Sequence, residues 1–150
     1  HAIEGSSPGW GVVMESGNTA SLGRSYSQPI DAAFIVTPAP PYAPAQLPVA
    51  SFAAMGMKVV VELQTGATER TVVDVNTNCG VVNTREIGLI FCLDEPECPG
   101  DSGALIRLLS GEAIGIYRGA LVVPGAPSGH RGFAQNFEQA IFALNVIPYL

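Results

Sequence analysis

The residue best placed to do chemistry is a serine between an acid and a glycine, in Cys98-Pro99-Gly100-Asp101-Ser102-Gly103. Serine is a weak nucleophile until a base takes its proton, and the oxyanion formed by its attack needs donors already in place. A glycine two positions earlier lets the backbone turn so that the N–H groups of Gly100 and Ser102 converge, where a Cβ would crowd them. Gly103 keeps the approach to a scissile bond clear. Asp-Ser-Gly also suits an ordinary turn, so the surrounding segments must decide between the readings.

Two histidines, His1 and His130, are the candidates for the base. His130 follows the serine in a Ser-Gly-His-Arg-Gly turn and reads as an exposed loop residue, with a part in a specificity pocket as the alternative. Asp31 opens the apolar run Ala32-Ala33-Phe34-Ile35-Val36. That position would bury its carboxylate, although an aspartate after Pro29 also simply starts a strand. Cys79, Cys92 and Cys98 do not repeat as paired C-x-x-C ligands, so no metal site is expected. They allow one disulfide, Cys92 with Cys98 or Cys79 with Cys92, or three reduced thiols.

Taken together, these segments resemble the chymotrypsin/trypsin-like serine peptidase superfamily, in its bacterial trypsin-like form. The resemblance rests on Gly100-Asp101-Ser102-Gly103 with Cys98 three residues before the aspartate, and on the strand order that follows: 104–109, a turn at Ser110-Gly111, 113–117, then Gly132-Phe133-Ala134 and a terminal helix. It extends to Asp31-Ala32-Ala33 as the family's Asp-x-Ala-aliphatic segment, to His1-Ala2-Ile3 as its histidine followed by a small or apolar pair, and to the spacings between His1, Asp31 and Ser102.

The resemblance implies an all-β, two-lobed, chymotrypsin-like double β-barrel with a C-terminal helix. Residues 1–50 would be the remainder of the first barrel and the connection between lobes, and residues 51–150 the second barrel. Because the family has strands before its histidine, the first barrel is expected to be incomplete, with an upstream segment or partner chain completing it. The implied activity is that of a serine endopeptidase needing no cofactor, with His1, Asp31 and Ser102 as triad and Gly100, Asp101 and Ser102 forming the oxyanion hole. Cys98, Pro99, Ile116, Tyr117, Arg118 and Gly119 would border the pocket for a side chain of a peptide or protein substrate. An inward Arg118 would favour acidic side chains. Glu95 and Glu97 flank Pro96, where the family carries its pocket aspartate, and leave a basic preference open. The alternative function is a catalytically inactive or fragmentary module of the same fold that binds peptides or a partner protein. An esterase of another fold is disfavoured because no Gly-x-Ser-x-Gly elbow is present.

The elements that must position these residues follow from composition and pattern. The chain has 150 residues, 47% apolar, with 17 glycines, 12 prolines and only 13% charged residues, a balance of short strands and tight turns. A net charge of −6 with Lys58 as its single lysine excludes a nucleic-acid binder. No apolar run approaches the roughly 20 residues that span a bilayer, and no leader pattern is visible at the N-terminus. A soluble chain, secreted or cytoplasmic, is expected.

Strands are expected over 10–14, 32–37, 57–63, 71–75, 87–93, 104–109 and 113–117, with a hairpin turning at Thr65-Gly66-Ala67. The proline-rich stretch 38–44 reads as a linker between lobes, with a polyproline ligand as the alternative. One helix is expected near the end. Asn136 would cap it, Gln139 would reach back, Phe137, Ile141 and Leu144 would form its apolar face, and Pro148 would stop it.

Overall fold

A computed structural model describes residues 11–13, 19–26, 32–36, 45–75 and 90–148. Among these residues, nine strands and one helix run in the order β1 (Gly11–Val13), β2 (Thr19–Tyr26), β3 (Ala32–Val36), β4 (Lys58–Leu63), β5 (Gly66–Val75), β6 (Ile90–Leu93), β7 (Leu105–Leu108), β8 (Ala113–Val122), β9 (His130–Asn136) and α1 (Phe137–Leu144). Among the described residues, the first lobe is an antiparallel sheet in the order β1-β2-β3. The second lobe is a closed antiparallel barrel, β4-β5-β6-β9-β8-β7, sealed where β4 meets β7 from Val59↔Leu108 to Glu62↔Leu105.

Alternation builds the barrel. In β4, Val59 and Val61 are fully buried while Lys58 and Glu62 face solvent, as the period of two requires when one face meets a core. The interior is filled by Val59, Val61, Val72, Phe91, Leu93, Ile106, Ile114, Tyr117 and Ala134. All four residues of β6 are buried, because Phe91 and Leu93 point inward while Ile90 and Cys92 are covered outside by Val73, Leu121 and Phe133. A strand covered on both faces carries an unbroken apolar run. Gly115 leaves room for Phe91, whose ring would overlap a Cβ at that position.

Several expectations need correction. The β4–β5 hairpin turns at Gln64-Thr65, one residue earlier than expected, because Leu63 pairs with Gly66 and β5 begins there. β8 runs five residues beyond Tyr117. β2 was not expected as a strand, and β9 extends beyond Gly132-Phe133-Ala134 on both sides, ending in Gln135 and Asn136, both buried, so its sequence lacks an apolar alternation. Cys98 carries a free thiol and Cys92 is disulfide-bonded. This removes both the Cys92–Cys98 pairing and the fully reduced alternative, while Cys79 lies outside the described residues. The linker 38–44 is outside them too.

Helix α1 starts as expected. The Asn136 side chain accepts from the Gln139 N–H at 2.9 Å, and its amide nitrogen donates to the Ser51 carbonyl at 3.0 Å. Its end differs. Asn145 takes the left-handed conformation (φ 54°, ψ 51°), its N–H reaches the Phe142 carbonyl, and the Val146 N–H reaches the Ile141 carbonyl at 3.1 Å. This Schellman arrangement stops the helix three residues before Pro148. The fully buried face is Ala140 and Leu144, packed with Ala32 of β3 and with Ile116 and Val146, so the helix ties the two lobes together.

Replacing Asn136 by alanine removes both the cap and the tie to Ser51. We expect a loss of about 1–2 kcal/mol in urea unfolding, with Asn136→Asp, which keeps the capping oxygen, losing less.

Candidate active site

The chain leaving β6 is fastened to the barrel step by step before it reaches the serine. The Asp94 N–H donates to the Thr71 carbonyl at 3.0 Å and its carboxylate accepts the Thr71 N–H at 3.0 Å. Glu97 is held from two sides. Its N–H donates to the Tyr117 hydroxyl oxygen at 2.9 Å, and its carboxylate meets Arg70 of β5. The Arg70 Nη2–H donates to Oε2 at 3.1 Å, while Nε and Oε1 form a 2.8 Å charge contact outside hydrogen-bond geometry. With side chains 4% and 17% exposed, Glu97 and Arg70 form a largely buried ion pair.

The turn itself is closed by Asp101. Its carboxylate accepts the Cys98 N–H at 3.0 Å, its own N–H donates to the Cys98 carbonyl at 3.1 Å, and its carbonyl accepts from the Ala104 N–H at 3.1 Å. Gly100 and Gly103 adopt φ of +104° and +99°, which only glycine takes without strain. Asp101 thus uses its N–H inside the turn. Among the described residues, the N–H groups of Gly100 and Ser102 have no acceptor.

Strand β8 seats the turn from below. The Gly103 N–H donates to the Tyr117 carbonyl at 2.8 Å, the Tyr117 N–H to the Ala104 carbonyl at 2.9 Å, and the Ser102 hydroxyl to the Arg118 carbonyl at 2.7 Å. The register of β8 with β9 passes from Tyr117↔Ala134 to Gly119↔Phe133, so Arg118 is an extra residue, a β-bulge. Bulges re-aim groups at the edge of a site. This one presents the Arg118 carbonyl to Ser102.

The residues expected around a pocket therefore divide. Cys98 and Pro99 are exposed beside Ser102, and Tyr117 and Arg118 reach the turn through their carbonyls. Ile116 packs outward with the helix. The Arg118 guanidinium lies 5.8 Å from the centre of the Phe133 ring, and Phe133 packs on the outer wall of the barrel. A Cβ on Gly119 would lie 3.6 Å from that ring. Tyr117 is 1% exposed in the barrel core. His130 is exposed at the start of β9, its Nδ1 3.1 Å from the Ser128 carbonyl. His1 and Asp31 lie outside the described residues; Ala32, next to Asp31 in the chain, packs on the helix. Sequence reading missed Arg70, because an arginine pairing with Glu97 across 27 positions leaves no local signal.

No protein-family model matches the chain, and no curated protein does. Solved structures do. A chymotrypsin from Cellulomonas bogoriensis aligns with a TM-score of 0.64 at 19% identity, over 90% of this chain and 77% of that one. Protease A from Thermobifida fusca aligns at 0.66 and 20% identity, over 97% and 80%. A glutamic acid-specific serine protease described as using a histidine triad in substrate binding aligns at 0.67 and 20% identity, over 91% and 77%. These likenesses establish the chymotrypsin-like fold, with a closed second barrel, a C-terminal helix and, among the described residues, a first lobe short of a full barrel.

Two outcomes follow for the residues that hold the turn. Arg70→Ala leaves the Glu97 carboxylate buried and unpaired and is expected to cost about 3 kcal/mol in denaturant unfolding, whereas replacing Arg70 and Glu97 together by leucine recovers most of the loss. Burial is the largest influence on the Tyr117 phenol and raises its pKa, with the Glu97 and Asp101 charges acting the same way. A raised phenol favours the protonated folded state. Its contribution is complete below the unfolded value of about 10 and is lost as pH rises through the folded value. Tyr117→Phe should therefore flatten the alkaline fall in melting temperature above about pH 10.

Proposed function

We propose that this chain is a serine endopeptidase that cleaves peptide bonds through an acyl-enzyme on Ser102. The observation that carries the reading is the Gly100–Gly103 turn, held in a chymotrypsin-like fold, whose Gly100 and Ser102 N–H groups have no acceptor among the described residues and can donate to an oxyanion. Ser102 Oγ attacks the carbonyl carbon as its proton passes to His1, and Asp31 holds the imidazole in the right tautomer and stabilises its cation. The two N–H groups bind the oxyanion. The protonated His1 then gives its proton to the leaving amine, and water, deprotonated by the same imidazole, releases the acid and restores the serine. Peptides or proteins are the substrates.

The histidine triad named for the glutamate-specific neighbour has no counterpart to carry over, since this chain has two histidines. A second reading, a non-catalytic module that binds peptides or a partner, draws on one contact. The Ser102 proton is held by the Arg118 carbonyl, which accepts a hydrogen bond but is no general base.

A fluorophosphonate probe separates the two. Stoichiometric labelling, abolished in Ser102→Ala and accelerating across the ordinary histidine range of about pH 6–7, is expected for the enzyme. Folded protein that remains unlabelled would instead be the binding module.

A further inference from the structure

The endopeptidase reading needs space beside Ser102 for the side chain of the residue whose carbonyl is attacked, between the turn and the end of β8. The barrel interior next to the turn is filled. Tyr117 projects into the barrel and its hydroxyl oxygen accepts the Glu97 N–H at 2.9 Å, so the phenol ring spans the gap from β8 to the segment before the turn. Behind the ring, β9 arrives as Gly132. A Cβ there would stand 2.8 Å from the Glu95 carbonyl oxygen and 3.1 Å from Tyr117 Cε2, closer than neighbouring groups tolerate. Ring, carbonyl and glycine are already packed to their limit.

Charge at the floor is also accounted for. The Glu97 carboxylate is matched by Arg70 and nearly buried, so it offers a cationic side chain no free anion. Glu95 is exposed to solvent. Arg118 lies over Phe133 on the outer wall rather than under Ser102.

We infer that Tyr117 is a specificity-determining plug, and that the site accepts acyl residues with small uncharged side chains, of the size of alanine or serine, and rejects aromatic and long charged ones. A phenylalanine side chain could enter only by displacing the ring, which would unmake the bond to Glu97 and leave a peptide N–H without a partner. Hydrogen-bonded pockets discriminate strongly for this reason. The inference rests on the acyl-transfer reading of Ser102.

The test uses the full chain and reagents that separate the two claims. Diisopropyl fluorophosphate carries no side chain to seat and reports on Ser102 alone. Peptidyl diphenyl phosphonates ending in alanine, phenylalanine, lysine or glutamate report on the pocket. The alanine reagent should react roughly a hundredfold faster than the other three. In Tyr117→Ala the ratio of phenylalanine to alanine rates should rise at least about tenfold, and in Tyr117→Leu, which keeps apolar filling, it should rise less. Each ratio is taken within one protein, so a general loss of reactivity cancels. Labelling by diisopropyl fluorophosphate with equal rates for alanine and phenylalanine overturns the inference alone. A wild-type preference unchanged in both variants overturns the role of Tyr117. No labelling by any of the reagents overturns the acyl-transfer reading and this inference with it.

Discussion

The inserted residue at Arg118 lets one strand be both barrel wall and seat for the Ser102 turn. In an unbroken antiparallel ladder, consecutive residues of β8 would alternate faces and each would direct its peptide groups to one neighbour in turn. Tyr117 keeps that behaviour, bonding to Gly103 and Ala104 on one side and pairing with Ala134 on the other. The next residue is left out of register, and its carbonyl turns to the Ser102 hydroxyl. Without the bulge, either Tyr117 would leave the core or the turn would lose its contact with β8.

Around this seat, the turn is preorganised by contacts whose individual contributions are modest. A net hydrogen bond is worth about 1 kcal/mol, so no single one of the bonds from Asp94, Glu97, Cys98, Asp101 or Gly103 fixes the loop. Their distribution does. Thr71 and Arg70 hold it from β5, Tyr117 and Arg118 from β8, and Asp101 from within. Donors fixed before charge develops need no reorganisation when it does, which is where most of the value of an oxyanion site lies. The Arg70–Glu97 pair matters here for geometry more than for stability, since taking two charges out of water offsets much of their attraction.

Legibility in the sequence followed whether a feature is local. Val59-Val60-Val61 announces a half-buried strand by itself, Gly100-Asp101-Ser102-Gly103 a tight turn, and Asn136 the start of a helix; the structure holds all three. What failed depends on partners distant in the chain. β9 is a strand because β6 and β8 flank it, while its buried Gln135 and Asn136 argue against one locally. Asn145 ends the helix through a backbone conformation that its residue type permits but does not demand. Tyr117 lies in the barrel core, and its bond from Glu97 and the close approach of Gly132 come from segments distant in the chain. The free Cys98 thiol is one of the states the sequence allowed, the one that goes with Cys79 pairing to Cys92.

The contact between Ser102 and the Arg118 carbonyl bears on how the two lobes divide the chemistry. Breaking one neutral hydrogen bond of net value about 1 kcal/mol slows a step about fivefold, a small term against the thousands contributed by a well-placed base. The carbonyl is therefore a resting place for the proton and no obstacle to its transfer. In serine hydrolysis, donors and substrate binding alone retain roughly 10³–10⁴-fold acceleration over water when a triad member is removed, and the remainder needs base and acid together. The second barrel would supply the first part from its own residues, the Ser102 hydroxyl and the Gly100 and Ser102 N–H groups. The second part would come from the first lobe, through His1 and Asp31. Ala32 clusters with Ala140 and Leu144 of the C-terminal helix, and Ile116 of β8 packs against that cluster. Ile116 adjoins Tyr117 and lies two residues before the bulge. The helix thus links the start of β3 to the strand that seats the serine turn through a small apolar cluster, beside backbone bonds that join Leu47 to Pro148 and Pro48 and Ala50 to Ala113.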